Sequence, residues 1–270
     1  MFYELTLRNK MKKIIVIILL MSTTTIMYTQ EKDAALEAQN PLANIISMPL
    51  QNNTKFGLPE DGTSNTLNIQ PIYPVSFSNN AILINRAIIQ IKSSPDYSET
   101  SGNTNGIGDI NYTAWYAPPP KNSFTWGVGF VSIWPTATDD ILGTGKFSIG
   151  PSVVLVNMTK KLMLAAIISN WFSVAGKSDR ADVNTFYFQY VMTYFLANKW
   201  YLVTAPINTA NWEAEDGEKW TIPLGGGFGK MFNIGTLPVD LQTQAFYYAV
   251  KPAGGPEWEL RVQFKMIFPK

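Results

Sequence analysis

Trp258-Glu259-Leu260-Arg261-Val262-Gln263-Phe264-Lys265-Met266-Ile267-Phe268 is the clearest copy of a pattern that repeats from Asn44 onward. Successive side chains of a β-strand point to opposite faces. Trp258, Leu260, Val262, Phe264, Met266 and Phe268 therefore share one face, and Glu259, Arg261, Gln263 and Lys265 share the other. A strand of a soluble sandwich would alternate in the same way. Repetition, strand length and loop length must decide between the two.

Working back from this strand, the alternation predicts twelve, near 44–56, 66–77, 81–92, 107–117, 124–134, 147–157, 162–174, 183–196, 200–210, 219–232, 238–250 and 257–268. Each has about ten residues or more, the length a tilted strand needs to cross a bilayer. Strands of soluble domains more often have about five or six. Long connections (57–65, 93–106, 135–146, 175–182, 211–218 and 251–256) alternate with mostly shorter ones (78–80, 118–123, 158–161, 197–199 and the turn at Gly235). This predicts an all-β fold, a transmembrane up-and-down antiparallel β-barrel of about 12 strands over 44–270, with both ends in the periplasm. Acidic residues concentrate in the long connections, among them Asp139-Asp140 and Glu213-Ala214-Glu215-Asp216. Trp134, Trp171, Trp200, Tyr201, Trp212, Trp220 and Trp258 fall near strand ends, where the aromatic girdles of such barrels lie.

Pro49, Pro71, Pro74, Pro151, Pro206 and Pro223 fall inside proposed strands, where each removes a ladder donor, so bulges are expected beside them. Gly225-Gly226-Gly227 and Gly229 predict a bent strand or room for an inward side chain. A phosphate loop is the sharper reading of that run, but no helix pattern follows and Lys230 begins no Walker motif.

Composition narrows the function. The chain has 270 residues with 21 basic and 20 acidic side chains, and only 15% are charged, against about a quarter in ordinary soluble domains. There is no histidine and no cysteine, which excludes Ser-His-Asp and Cys-His catalysis, imidazole or thiolate metal sites, and disulfides. The balanced charge gives no footprint for nucleic acid. Lys12 and Lys13, the apolar run Ile14–Met21 and the tail Ser22-Thr23-Thr24-Thr25 have the layout of a secretory signal, too short for a spanning helix. A cleaved signal over 1–29, with Met11 as an alternative start, leaves a short periplasmic segment over 30–43. It removes four basic residues (Arg8, Lys10, Lys12 and Lys13) and Glu4, leaving 17 basic and 19 acidic groups and a net charge of −2. The expected address is the outer membrane of a Gram-negative bacterium.

Longer segments carry a resemblance. Gln39-Asn40-Pro41-Leu42-Ala43-Asn44, Asn68-Ile69-Gln70-Pro71, Gly106-Ile107-Gly108-Asp109-Ile110-Asn111, Trp134-Pro135-Thr136-Ala137-Thr138-Asp139-Asp140, Trp220-Thr221-Ile222-Pro223-Leu224-Gly225-Gly226-Gly227 and Phe268-Pro269-Lys270 are similar to bacterial outer-membrane transporters often labelled neuromedin U. These are related to the barrel family of the meta-pathway of phenol degradation. The resemblance covers nearly the whole exported chain and implies a transport barrel for small solutes, hydrophobic or aromatic ones among them. It brings no catalytic or binding residues with it. Where this chain has Ser169-Asn170-Trp171, relatives are expected to place His before the Trp.

Alternation predicts a polar lumen lined by Gln51, Asn53, Asn68, Gln70, Arg86, Gln90, Asp109, Asn111, Asn170, Asp240, Gln242, Gln244, Glu259, Arg261, Gln263 and Lys265. A lipid-facing Arg or Lys at mid-depth costs about 2–4 kcal/mol, which argues that Arg86, Arg261 and Lys265 point inward or sit near an interface. Two readings of that lining stay open: a conduit with a charge constriction, or a plugged interior in which Arg86 or Arg261 pairs with Asp109, Asp240 or Glu259. No catalytic residue, cofactor or metal ligand is expected; the acidic loops suit a solvated rim better than a calcium or magnesium site. Expected partners are outer-membrane lipid and lipopolysaccharide, the barrel-assembly machinery, which would read the aromatic closing strand ending at Phe268, and a small solute. Three classes follow: a passive transporter or channel, a structural or surface-interaction barrel with a plugged lumen, and an outer-membrane hydrolase or acyltransferase, which the missing histidine disfavours. Single-channel conductance separates the first two.

Overall fold

Strand polarity sets the architecture. The computed structural model describes residues 37–97, 102–120 and 122–268. The signal expected over 1–29 and the pair Pro269-Lys270 lie outside the described residues. Fifteen β-segments form in chain order: β1 (Ile46–Leu58), β2 (Gly62–Ile69), β3 (Ile72–Ser76), β4 (Ile82–Pro95), β5 (Asn103–Ile107), β6 (Ile110–Ala117), β7 (Phe124–Trp134), β8 (Lys146–Met158), β9 (Leu162–Gly176), β10 (Asn184–Phe195), β11 (Trp200–Thr204), β12 (Ile207–Asn211), β13 (Trp220–Ile234), β14 (Leu237–Val250) and β15 (Trp258–Phe268). They make twelve spans, because β2/β3, β5/β6 and β11/β12 are each one strand with a break. Every span pairs antiparallel with its neighbours in sequence, and β1 pairs β15 from Ile46↔Phe268 to Phe56↔Trp258. The sheet is thus a closed antiparallel barrel without a free edge.

Two of the three breaks fall at prolines. Pro71 separates β2 from β3, and Pro206 separates β11 from β12. Proline offers no ladder donor, so a neighbouring carbonyl is freed. At the second break the Ala205 carbonyl accepts from Arg261 Nη1 at 2.8 Å and from Gln189 Nε2 at 3.2 Å. A register shift beside Pro223 gives the expected bulge there. Pro49, Pro74 and Pro151 do not produce one: each stays in register, opposite Lys265, Ile84 and Phe130. There the flanking pairs hold the alignment; on β8 the pairing with β9 skips Gly150 and Pro151 and resumes at Ser152↔Ser169 in the same register. The third break, at Gly108-Asp109, lies beside the lumen cavity. Gly229 provides the room expected of the glycine run, since a Cβ at that position would meet the Tyr201 hydroxyl at 2.2 Å.

Outward positions form an apolar band. On β15, Trp258, Leu260, Val262 and Phe268 are exposed, while Glu259, Arg261, Gln263 and Ile267 are buried inside. Trp134, Trp212, Trp220, Tyr247 and Trp258 are exposed toward the loop end of the barrel, and Tyr116, Trp126, Tyr194, Trp200 and Phe268 toward the short-turn end. Two members of the expected girdle belong elsewhere. Trp171 and Tyr201 point into the lumen, because their register pairs them with the inward positions Thr185 and Gly229.

The inside changes character along the barrel axis. In the short-turn half, Ile84, Trp115, Val154, Met163, Val203 and Val239 are buried and fill the interior with apolar volume. Residues 38–43, expected to precede the barrel, also lie in that half. Ala38, Leu42 and Ala43 are buried. Lys265 Nζ donates to the Ala38 carbonyl at 2.8 Å, and Leu42 Cδ2 sits 3.2 Å from the place of a Cβ on Gly127. Lys265 on β15 and Gly127 on β7 belong to nearly opposite walls, so the segment crosses the lumen.

Candidate functional site

Above this packed half lies a cavity of about 560 Å³. Its walls come from inward positions of seven spans: Gln51 and Asn53 on β1, Asn68 on β2, Arg86, Ile88, Gln90 and Lys92 on β4, Asn111 on β6, Ile133 on β7, Trp171 on β9, and Thr185, Tyr187 and Gln189 on β10. The cross-strand pairs Asn68↔Gln90 and Trp171↔Thr185 show how alternation carries one face from strand to strand. Gln90 Nε2 reaches Asn68 Oδ1 at 3.4 Å, and the Thr113 hydroxyl donates to Asn111 Oδ1 at 3.2 Å.

The loop between β7 and β8 folds inward and roofs the cavity. Leu142 is fully buried, and Ile141, Gly143 and Thr144 join it in the lining. Asp109 anchors this roof from the break in the fourth span. One carboxylate oxygen accepts from Ala137 N at 3.2 Å, and the other from Thr144 N at 2.7 Å and Thr144 Oγ1 at 2.9 Å. Lys92 Nζ donates to the Leu142 carbonyl at 2.8 Å. From the loop between β9 and β10, Arg180 donates to the carbonyls of Asp140 and Gly143 at 2.8 and 2.7 Å. Lys177 pairs with Asp140 at 2.7 Å, and Lys146 with Asp182 at 3.1 Å. The hydrogen bond from Lys177, and then its charge, hold the Asp140 carboxyl below the usual range; Lys146 does the same for Asp182.

The acidic loop residues are also engaged. Asp140 faces Lys177 and Arg180, Asp216 faces Lys219, and a Glu218 oxygen accepts from the Ala253 amide.

The proposed lining divides into three groups. Gln51, Asn53, Asn68, Gln70, Arg86, Gln90, Asp109 and Asn111 border the cavity. Asp240, Gln242, Gln244, Glu259, Arg261, Gln263 and Lys265 face inward but outside it, and the Gln244 amide is buried there without a hydrogen-bond partner. Arg261 is only 3% exposed; its Nη2 meets Glu259 Oε1 at 2.9 Å, and Phe246 lies 4.6 Å from its Cζ. Tyr248 donates to the other Glu259 oxygen at 2.7 Å, and Tyr201 donates to Asp240 at 2.7 Å. Asn170 is corrected outright. It pairs with outward-facing Phe186, and its amide bonds Asn184 Oδ1 at 3.0 Å while accepting from the Trp212 indole at 2.9 Å. Ser169 and Trp171 take the inward positions beside it, because a polar residue near the interface can face outward when neighbours satisfy it.

Solved structures place this architecture. An outer membrane channel from Pseudomonas putida F1 superposes with a TM-score of 0.63 at 15% identity, over 83% of this chain and 94% of its own. The NanC porin gives 0.55 at 11% identity, over 83% of this chain and all of its own. The chain has an outer-membrane barrel fold. No family model matches it, and no curated protein matches it in sequence.

Proposed function

We propose that this barrel is a passive outer-membrane channel for small solutes, held here with residues 38–43 across its lumen. The carrying observation is the cavity: about 560 Å³ of partly polar space lies inside the barrel. That volume falls in the range of small-molecule sites, about 300–1,000 Å³. An interior filled only for stability would close such space, since protein cores pack densely. The fold of the two channel and porin structures supports the reading, as does the likeness of the sequence to outer-membrane transporters of the neuromedin-U-labelled kind. In this reading the protein is exported, assembled by the barrel-insertion machinery among lipopolysaccharide, and performs no covalent chemistry.

A second reading, a structural barrel with a plugged lumen, has one specific support: the segment bound by Lys265 crosses the interior. Planar-bilayer recording separates the two. Purified protein is expected to give small conductance steps, and replacing residues 38–43 by a Gly-Ser stretch is expected to enlarge them. A folded protein that conducts in neither form would overturn the channel and leave the plug.

A further inference from the structure

We propose that the lumen cavity binds a small organic acid and that Arg86 holds its carboxylate. The proposal rests on the channel reading and names the solute class. Three charged side chains border the cavity: Arg86, Lys92 and Asp109. Two of them are committed. Asp109 accepts three hydrogen bonds from Ala137 and Thr144, and Lys92 is bound to the Leu142 carbonyl.

Arg86 is different. Among the described residues no carboxylate pairs with its guanidinium, and its Nε is buried without an acceptor. Its close company is neutral, a Trp115 ring centred 4.8 Å from Cζ. Arg86 is part-buried at the cavity wall, and there a ring face offsets only part of the cost of a cation without a counter-ion. Elsewhere in the barrel a buried arginine has a carboxylate of its own: Arg261 pairs with Glu259 at 2.9 Å. At Arg86 the partner is left to come from outside the chain.

Guanidinium geometry selects that partner. Its planar fork offers parallel N–H donors that match the two oxygens of a carboxylate. Once Lys92 and Asp109 are accounted for, one uncompensated positive charge borders the cavity, which suits a monoacid. The body of the acid would meet a mixed wall, the Trp171 and Tyr187 rings beside neutral amides such as Gln90. An aromatic monocarboxylate fits this wall, and benzoate is the simplest example.

Calorimetry on the purified barrel in detergent, with benzoate and its uncharged isostere benzamide, tests the site. Benzoate is expected to bind about tenfold or more tightly than benzamide, the factor of one charge-assisted hydrogen bond. Arg86→Gln should bring benzoate down to the benzamide level, and Arg86→Lys should recover part of the difference. Equal binding of the two probes by the wild type overturns the proposal, as does undiminished benzoate binding by a folded Arg86→Gln. If Arg86→Gln does not fold, the wild-type comparison decides alone. Conductance without added acid reports the channel separately. A conducting barrel indifferent to benzoate loses the acid site and keeps the channel, while benzoate binding without conduction keeps the site and loses the channel.

Discussion

Asp109 shows how much one residue organises. It stands where the fourth span breaks, so its carboxylate is free to serve as a hub for a loop some thirty positions later in the chain. Each hydrogen bond to a charged acceptor contributes about 1.5–3 kcal/mol. Asp109→Ala is therefore expected to speed amide exchange at Thr144 by about tenfold or more, with the strands unaffected. Unchanged protection at Thr144 would mean that Arg180 and Lys177 hold the loop unaided. The same residue marks a boundary of legibility. Its inward position was readable, because Asp109 and Asn111 share a strand face. Its three partners were not, since they come from a loop whose path no alternation describes. Asn170 marks the opposite failure. Polarity alone put it inside, but the Trp212 indole and Asn184 satisfy it outside.

At the scale of the element, alternation was legible wherever apolar and polar residues take strict turns. β15 reads correctly residue by residue, and its outward Val262 is exposed between the inward Arg261 and Gln263. Val262 pairs with Asn52 and Thr243 near the middle of the strands, away from either interface. Val262→Arg is thus expected to destabilise the barrel by about 2–4 kcal/mol in lipid vesicles, measured by urea unfolding. A loss below about 1 kcal/mol would place that position outside the bilayer core. β10 was harder. Thr185-Phe186-Tyr187-Phe188-Gln189-Tyr190 is aromatic on both faces, so Tyr187 and Gln189 gave no sign that they border a cavity. Trp171 and Tyr201 failed for a related reason: a large ring near a strand end suits a girdle and a lumen equally well. Lys92 could have been found, because it repeats the parity of Arg86 and Gln90.

For the whole molecule, span number, closure and the alternation of long loops with short turns followed from strand length and loop arithmetic. The division of the interior did not. Alternation predicts polar residues along the full inner wall, yet Ile84, Trp115, Val154 and Met163 fill the short-turn half with apolar bulk. A closed ladder without edges should also survive detergent, so the unheated protein is expected to migrate faster on gels than the boiled one. Equal mobility would contradict closure. One contact in the dry half has a consequence for heredity. Lys265 grips residue 38 by its main-chain carbonyl, an atom that every amino acid carries. Any residue small enough for the buried space at 38 can replace the alanine without loosening the grip, whereas the lysine has no such freedom. Related genes should therefore keep a long basic side chain at 265 opposite a letter that drifts only among small residues.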